Sequence, residues 1–527
     1  MDAATLTMAD VLASRNTGWF ASTGIIKLNA ILCLSLVSSY ATGYDGSMMN
    51  GLQSLDEWNA YFHNPTANTL ALLNAIQNVG QLAAIPFCAY ACDTFGRKPI
   101  LIMSSFVLLI GVCLQAAAQN NGMFIAARGI LGIGLAFNIT AAPLLIMELA
   151  FPSQQAILVS VYNALWSLGS IAASWTTYGT FRINNSWAWR IPSALQALSS
   201  IVQIMAFYFI EESPRWLIAK DREQDAHAII TKYHANGNPD DPIVAIEMHE
   251  IREALRIEQE FAQNDSYLAF FKTKGNRTRF WLILCVGFFS QWSGNGVISY
   301  YLTLVLDSIG YKDESTQTLI NGVLAIWGLL STTIVSLVVD KFSRRFLFLV
   351  STAGMLVSYI VWTALEAEYE KQIDAGQDGS PAYARGVLAM IILFNTAMAL
   401  GWGPLQVTYV VEILPYNLRA RGLVLYNLFV AMALIFNQYA NPIALTNIKW
   451  RYYIVYDVWL LFELLVVYFL WVETRGPSLE EIAAIIDGQE VKEKLIETAA
   501  DAASRDIGHF NVDNEAKGGR VRILQSA

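Results

Sequence analysis

Long apolar runs alternate along the chain with short polar segments, and this pattern predicts helices that cross a membrane. A transmembrane helix needs about 20 consecutive, mainly apolar residues. Twelve runs of this kind occur, at 25–49, 69–92, 100–119, 123–149, 156–180, 189–211, 279–306, 316–340, 344–366, 385–412, 420–443 and 449–472. The pattern therefore predicts an all-α membrane protein with twelve transmembrane helices.

One long polar segment divides the apolar runs into two sets of six. It is dense in charge, and its part from Glu247 to Glu260 has the pattern of an amphipathic helix. This division predicts two six-helix bundles. The predicted organisation is an N-terminal segment at 1–24, a first bundle at 25–211, a linker with short helices at 212–278, a second bundle at 279–472 and a tail at 473–527.

The composition agrees with a membrane protein and excludes several other classes. Hydrophobic residues make up 55% of the chain and charged residues only 15%, against about 25% charged residues in soluble domains. A soluble multidomain enzyme, a disordered chain and a secreted disulfide scaffold are thereby excluded. We find no metal-ligand spacing, phosphate-binding loop or nucleophile elbow, so we expect no enzymatic activity, no cofactor, no metal and no nucleic-acid partner.

Lysine and arginine are distributed unevenly between the two sides of the predicted membrane. If the spans alternate, the basic residues after the second, eighth and tenth spans and those of the linker all lie on one side. Such residues mark the cytoplasmic side. We therefore expect both termini to be cytoplasmic, in a multi-pass protein of the plasma membrane.

Short motifs recur in the two halves at similar offsets. Asp93-Thr94-Phe95-Gly96-Arg97-Lys98 follows the second run, and Asp340-Lys341-Phe342-Ser343-Arg344-Arg345 follows the eighth, 247 positions later. Two further pairs are 264 and 261 positions apart, namely Glu148 with Glu412 and Glu212 with Glu473. Similar offsets at independent landmarks indicate a duplicated six-span unit.

Together with Gly43-Tyr44-Asp45, Arg128-Gly129 and Trp189-Arg190-Ile191-Pro192, these motifs resemble the sugar porter family of the major facilitator superfamily, over about Asn29 to Ile482. The run from Gln291 to Gly296 is most similar to the fungal lactose and cellodextrin permease branch. The resemblance implies the major facilitator fold, with a polar site between two bundles that opens to each side in turn. It also implies import of a sugar.

The chain departs from the family pattern at several positions. Ser343 replaces the usual glycine of the second motif copy, and Gln155-Ala156 stand where Arg-Gly is usual. Val407 occupies a position where hexose carriers commonly have tryptophan. The resemblance therefore implies a pocket that differs from a simple hexose pocket, and we expect a disaccharide or oligosaccharide substrate.

A carboxylate inside an apolar span is expensive to bury and is by default a candidate functional group. Asp45 is such a group, and the resemblance pairs it with Arg128. A carboxylate held beside a cation can change its protonation state as its surroundings change, and so couple proton movement to transport. The alternative is a static ion pair that fixes two helices.

Neutral sugars require hydrogen-bonding groups without fixed charge, and side-chain amides supply them. Asn163, Gln291, Asn295 and Asn437 are the amide candidates, the first two at positions that match sugar-binding positions of the family. Asn295 is displaced by one residue, about 100° around a helix, unless the seventh span is broken there. The alternative for each amide is a bond to a neighbouring helix.

Aromatic rings can stack on sugar faces, and charged residues can gate the carrier. The aromatic candidates are Trp292, Tyr300 and Trp402, for which simple packing is the alternative. The gating candidates lie next to the motifs, where the family places charges that clamp one state: Asp93, Arg97, Glu148, Asp340, Arg345, Glu412 and Arg419.

The prediction is therefore a proton-coupled sugar importer for which one chain is sufficient, with a sugar, a proton and the lipid bilayer as its partners. Two alternatives remain open at this stage. One is a sugar sensor with little transport, and the other is a facilitator or exporter of a metabolite that is not a sugar.

Overall fold

The computed structural model describes residues 18–262 and 267–475, with the isolated positions 11, 12 and 486. Within these residues the secondary structure is helical and contains no strand. The predicted ends of the chain, 1–24 and 473–527, lie largely outside the described residues.

The first bundle and its connections contain eight helices. They are α1 (Thr23–Gln53), α2 (Asp56–Tyr61), α3 (Ala67–Phe95), α4 (Arg97–Ala116), α5 (Asn121–Leu149), α6 (Gln155–Thr180), α7 (Trp187–Leu195) and α8 (Ala197–Met205). The linker that follows contains α9 (Pro214–Ala219), α10 (Glu223–Tyr233), α11 (Pro242–Ala262) and α12 (Ala269–Lys272).

The second bundle begins at Lys274. Its helices are α13 (Lys274–Trp292), α14 (Asn295–Ser308), α15 (Glu314–Ser336), α16 (Arg344–Asp374), α17 (Pro381–Leu400), α18 (Gln406–Ile413), α19 (Tyr416–Ile448) and α20 (Arg451–Leu470). Short 3₁₀ turns lie at Pro152–Gln154, Ala206–Tyr208 and Val339–Lys341.

Among the described residues, 11 helical segments are long and apolar enough to cross a membrane, α13 and α14 together forming one of them. The sixth predicted span is divided at Gln196 into α7 and α8, which are 9 residues each. The tenth is divided between α17 and α18, where Pro404 lacks the backbone donor that a continuous helix needs. Breaks of this kind lie inside the bundles, where side chains can satisfy the freed backbone groups.

Glycines bring neighbouring helices into backbone contact in the first bundle. A Cβ atom on Gly43 of α1 would lie 1.8 Å from the carbonyl oxygen of Trp166 on α6. A Cβ atom on Gly132 of α5 would lie 1.9 Å from the carbonyl oxygen of Gln77 on α3. Small residues are the usual means of such close packing in membranes. The sequence therefore fixes how closely the helices that carry the site approach each other.

The two bundles are joined at the ends that lie opposite the linker, which we call the far side. Asn50 near the end of α1 donates to the carbonyl of Ile298 at 3.3 Å, and its Oδ1 accepts from the amide of Leu302 at 3.1 Å. Ser54 and Thr303 share a hydrogen bond of 2.9 Å. The ends near the linker are called the linker side below. These contacts hold the far side of the two bundles together.

Two carboxylates on the linker side show the internal duplication in three dimensions. Glu212 accepts from the backbone amides of Arg97 and Lys98 at the start of α4. Glu473 accepts in the same way from the amides of Arg344 and Arg345 at the start of α16. Each carboxylate therefore satisfies unpaired amides at the positive end of a helix, as expected for an N-terminal cap.

The two caps differ in how their surroundings affect the carboxyl groups. Burial raises the pKa of Glu212, although the backbone amides that it binds oppose this. Burial also acts to raise the pKa of Glu473, but hydrogen bonds from Ser343 and three backbone amides outweigh it and lower the pKa. Ser343 is itself the N-cap of α16, so the unusual serine of the second motif starts that helix.

Candidate functional site

The centre of the candidate site is an ion pair in the first bundle. Arg128 Nη1 of α5 lies 3.1 Å from Asp45 Oδ1 of α1, and the two side chains are 3% and 4% exposed. The Arg128 Nε also donates to the carbonyl oxygen of Leu73 at 3.3 Å. The two candidates for proton coupling therefore lie in direct contact, away from solvent.

Two glutamines that the sequence analysis did not single out complete the surroundings of Asp45. Gln77 of α3 donates to Asp45 Oδ2 and accepts from Arg128 Nη2. Gln196, at the division between α7 and α8, donates to Asp45 Oδ1. Amides within apolar spans were the signal that could have identified both residues. Four predicted spans thus contribute to one buried hydrogen-bond network.

The second bundle reaches this network through the far-side half of the seventh span. Tyr300 and Tyr301 of α14 lie close enough to Arg128 to interact with it electrostatically. Tyr301 is fully buried and its hydroxyl donates to the carbonyl oxygen of Gln438 on α19. A change in the charge of the ion pair is therefore felt directly by the second bundle.

The seventh span is broken between α13 and α14. Gly294 at the break has a φ of 92°, a conformation that favours glycine. The hydroxyl of Tyr359 on α16 donates to the carbonyl oxygen of Gly294 at 3.0 Å. The break at Asn295 that the sequence analysis left open is therefore present in the structure.

Side chains satisfy the carbonyl groups that the break leaves unpaired at the end of α13. The Ser293 hydroxyl donates to the Phe289 carbonyl, and Asn295 Nδ2 donates to the Ser290 carbonyl at 3.2 Å. Asn437 Nδ2 of α19 donates to the Gln291 carbonyl at 2.8 Å. These donors replace the lost helical amides.

The four candidate amides do not all lie together. Gln291, Asn295 and Asn437 meet at the break, where Gln291 and Asn295 are half-buried and Asn437 is buried. Asn163 lies on α6 and is exposed. The hydroxyl of Ser170 on α6 lies 2.6 Å from that of Ser47 on α1. Asn163 is seven residues, or about two turns, before Ser170, so Asn163 and Ser170 share the face of α6 that is turned towards α1.

The aromatic candidates have different surroundings. Tyr300 is half-buried beside the ion pair, whereas Trp402 is fully buried and donates to the Thr352 hydroxyl at 2.9 Å. Trp292 donates to the carbonyl of Ala433 at 3.1 Å and lines a cavity of about 770 Å³ between α13, α19 and α20. The positions of Trp292 and Trp402 therefore favour the packing alternative.

The charged candidates of the first bundle form one cluster on the linker side. Arg97 makes two contacts with the carboxylate of Glu148 at the end of α5, at 2.9 and 3.1 Å. It also lies 3.3 Å from Asp93, one turn earlier in the chain. Arg97 thereby ties the α3–α4 connection to the helix that carries Arg128.

In the second bundle Glu412 pairs with an arginine that was not among the gating candidates. Arg344 Nε lies 3.5 Å from Glu412 Oε1, whereas Arg345 donates to the carbonyl oxygen of Tyr468. Successive residues of a helix point about 100° apart, so only one of the two arginines faces α18. Arg419 lies in the first turn of α19. The side chain of Asp340 lies outside the described part.

Known proteins resemble this chain over most of its length. It is 29% identical over 454 residues to the MFS-type transporter criB of Aspergillus cristatus, covering 86% of this chain and 92% of that protein. It is 28% identical over 484 residues to the high-affinity glucose transporter of Kluyveromyces lactis, covering 87% and 85% of the two chains.

A solved structure and a family profile give the remaining comparisons. The inward open conformation of the xylose transporter XylE from E. coli matches with a TM-score of 0.71 at 21% identity, over 87% of this chain and 99% of that one. This likeness shows the all-α, two-bundle fold. The profile described as "Sugar (and other) transporter" matches residues 30–486. The chain therefore belongs to the sugar (and other) transporter family.

Proposed function

We propose that this protein imports a disaccharide or oligosaccharide of the lactose or cellobiose type together with a proton, by alternating access. The observation that carries the proposal is the buried ion pair of Asp45 and Arg128, beside tyrosines of the second bundle. A titratable group that contacts both bundles can bias how they are arranged.

Proton binding at Asp45 supplies the coupling step. A neutral Asp45 no longer attracts Arg128, while Gln77 and the carbonyl of Leu73 still accept from that arginine. Tyr300 and Tyr301 then experience a cation without its counter-charge. Proton and sugar need only favour the same arrangement of the bundles to be coupled.

The contacts on the far side support a direction of transport. Asn50 and Ser54 join the bundles there, so the conformation described here is closed at these contacts on the far side. The basic residues of the linker side assign that side to the cytoplasm. On this assignment the protein lies in the plasma membrane with cytoplasmic termini and releases its cargo inward.

The substrate follows from the polar groups near the broken span. Gln291 and Asn295 offer amides without net charge at a half-buried position, which suits a neutral, hydroxyl-rich molecule. Val407 is 51% exposed and stands where the resemblance places a tryptophan in hexose carriers. The smaller side chain favours a sugar longer than a hexose.

Accumulation of radiolabelled cellobiose and lactose in a host without its own sugar carriers tests the proposal, with unlabelled sugars as competitors. We expect disaccharides to compete better than glucose, and Asp45→Asn to abolish accumulation while sugar counterflow continues. Asp457→Asn, which removes another carboxylate from a span of the second bundle, is the matched control and keeps accumulation. Undiminished accumulation by Asp45→Asn would refute the coupling, and better competition by glucose would refute the substrate size.

One observation favours a second candidate, a facilitator without proton coupling. The carboxylate of Asp45 already accepts from Arg128, Gln77 and Gln196, as a static structural ion pair would. In that case the wild-type protein equilibrates its substrate across the membrane and never accumulates it. The same uptake assay separates the two functions.

A further inference from the structure

A histidine joins the linker helices to the first bundle. His234 directly follows α10 and is 4% exposed. Its Nδ1 lies 2.7 Å from Glu247 Oε2 on α11, and its Nε2 lies 3.2 Å from the carbonyl oxygen of Leu149 at the end of α5. The ring of Phe151 packs edge-on against the imidazole, with 5.4 Å between ring centres. The imidazole is therefore held on both of its nitrogens.

Both groups that face these nitrogens are hydrogen-bond acceptors. A backbone carbonyl only accepts, and an ionised carboxylate also only accepts, whereas a neutral imidazole has a single N–H donor. Both contacts can form only when the pair of His234 and Glu247 holds one additional proton between Nδ1 and Oε2. Without it, the single N–H serves only one contact, and two lone pairs face each other either at 2.7 Å beside Glu247 or at 3.2 Å beside Leu149. Histidine exchanges such a proton near neutral pH.

The short loop that contains His234 holds the two helices that carry the ion pair. His234 binds the end of α5, which carries Arg128 and is followed at once by the turn of Phe151. Two residues further on, Asn236 Oδ1 accepts from the amide of Gly24 at 3.0 Å, at the start of α1, which carries Asp45. The loop thus connects the linker-side ends of both helices.

The remaining charged groups around the pair are more exposed or have partners of their own. On α11, His249 and Glu250 are exposed, and burial together with the negative charge of Glu247 raises the pKa of Glu250. On α10, Lys232 binds Glu211 at 2.6 Å. At the end of α5, Glu148 binds Arg97, and on α1 the exposed Lys27 lies near Lys232. Among the described residues, the neighbouring Tyr233 is also buried but donates to Glu211 at 3.0 Å, so the pair of His234 and Glu247 is the buried contact that joins α11 to α5.

We propose that His234 and Glu247 form a proton-binding site that latches the linker onto α1 and α5 and releases it as the pH on the linker side rises. Its consequence for transport rests on the proposed function: protons that enter with sugar close the latch. Closure holds the linker-side ends of α1 and α5 in the positions described here. Acidification of the linker side then slows net import.

Amide hydrogen exchange of the full-length protein in lipid nanodiscs tests the latch without any sugar. The readout is the exchange of α11 at an acidic and at an alkaline pH, with variants compared at the same pH. We expect α11 of the wild type to open more often at the alkaline than at the acidic pH, because loss of the shared proton removes one of the two contacts of the imidazole. Glu253→Gln, which changes a more distant acid of α11 whose side chain is 42% exposed, behaves like the wild type.

Two variants of the pair give opposite results if the inference is correct. In Glu247→Gln the amide group donates to a neutral imidazole, so α11 stays protected at both pH values. In His234→Phe the ring still packs on Phe151 but has no nitrogen, so α11 exchanges rapidly at both. Loss of protection by Glu247→Gln, or a pH response of that variant equal to the wild type, would overturn the proposal.

A transport measurement then connects the latch to the carrier. Sugar counterflow is followed in vesicles while only the pH of the linker side is changed, with cellobiose as the probe. The wild type is expected to speed up as that pH rises, and Glu247→Gln to stay slow throughout. An unchanged wild-type rate would overturn the effect on transport. Failure of cellobiose to move at all would count against the proposed substrate, while the exchange experiment still decides the latch.

Discussion

Removal of the cation from the buried ion pair gives the sharpest test of the site. Arg128 and Asp45 are 3.1 Å apart with side chains 3% and 4% exposed. At an effective dielectric constant of about 20, two unit charges at that distance attract by roughly 5 kcal/mol. Arg128→Gln leaves Asp45 buried without its cation, and loss of one partner of a buried pair costs about 3–5 kcal/mol. We expect a loss of stability of that size.

The double variant Asp45→Asn/Arg128→Gln should recover most of the loss, because neither charge remains. Thermal unfolding of the wild type, both single variants and the double variant, purified in one detergent, gives the coupling energy. We expect a coupling of about 3 kcal/mol, well above the roughly 0.5 kcal/mol scatter of independent sites. Additive effects, or an Arg128→Gln protein as stable as the wild type, would refute the assignment of Arg128 as the counter-ion of Asp45.

Three further predictions concern the second bundle. Gly296→Ala should destabilise the protein by about 1–3 kcal/mol in thermal unfolding, because the new Cβ would lie 2.0 Å from Asn437 Nδ2. The control Gly46→Ala places its Cβ with no atom within 4 Å and should be neutral. Equal effects of the two substitutions would contradict the close packing of Gly296 against Asn437. Arg344→Gln should slow uptake more than Arg345→Gln, since Arg344 contacts Glu412; the reverse order would show that the charge cluster is assigned wrongly. Because the pKa of Glu473 is lowered, its contribution to stability is present above the unfolded pKa of about 4.3 and is lost as the pH falls further. Acid should therefore lower the unfolding temperature of Glu473→Gln less than that of the wild type. Parallel curves of unfolding temperature against pH would exclude this contribution.

The hydrophobic pattern was sufficient to predict the helices because lipid requires every backbone group to be paired within a span. It could not predict where helices divide inside the bundles. Gln196 lies in an apolar run that shows no break, and its side chain donates to Asp45, which is distant in sequence. The break at Gly294 was more accessible to prediction, since two glycines and a displaced asparagine coincide there.

The candidate site was predicted in part. Asp45 and Arg128 were named through the resemblance, but Gln77 depends on the packing of α3 against α5, which no local pattern reveals. Arg345 was named as a gating candidate and Arg344 was not, whereas the structure places Arg344 beside Glu412. The offset of 247 positions already relates Arg97 to Arg344, so the internal duplication was the better guide. Burial of Trp402 depends on tertiary packing and could not be deduced from its position in the chain.

The capping of α13 sets a condition on any ligand that binds at the broken span. Asn437 donates one N–H to the Gln291 carbonyl and accepts from Asn441 and Tyr456. A hydroxyl group that takes this N–H must offer a donor of its own to the abandoned carbonyl, or leave it unpaired at a cost of about 1–3 kcal/mol. Molecules dense in adjacent hydroxyls can make that exchange, while apolar molecules of equal size cannot. The interruption of the helix thus favours ligands that can both accept from Asn437 and donate to the Gln291 carbonyl.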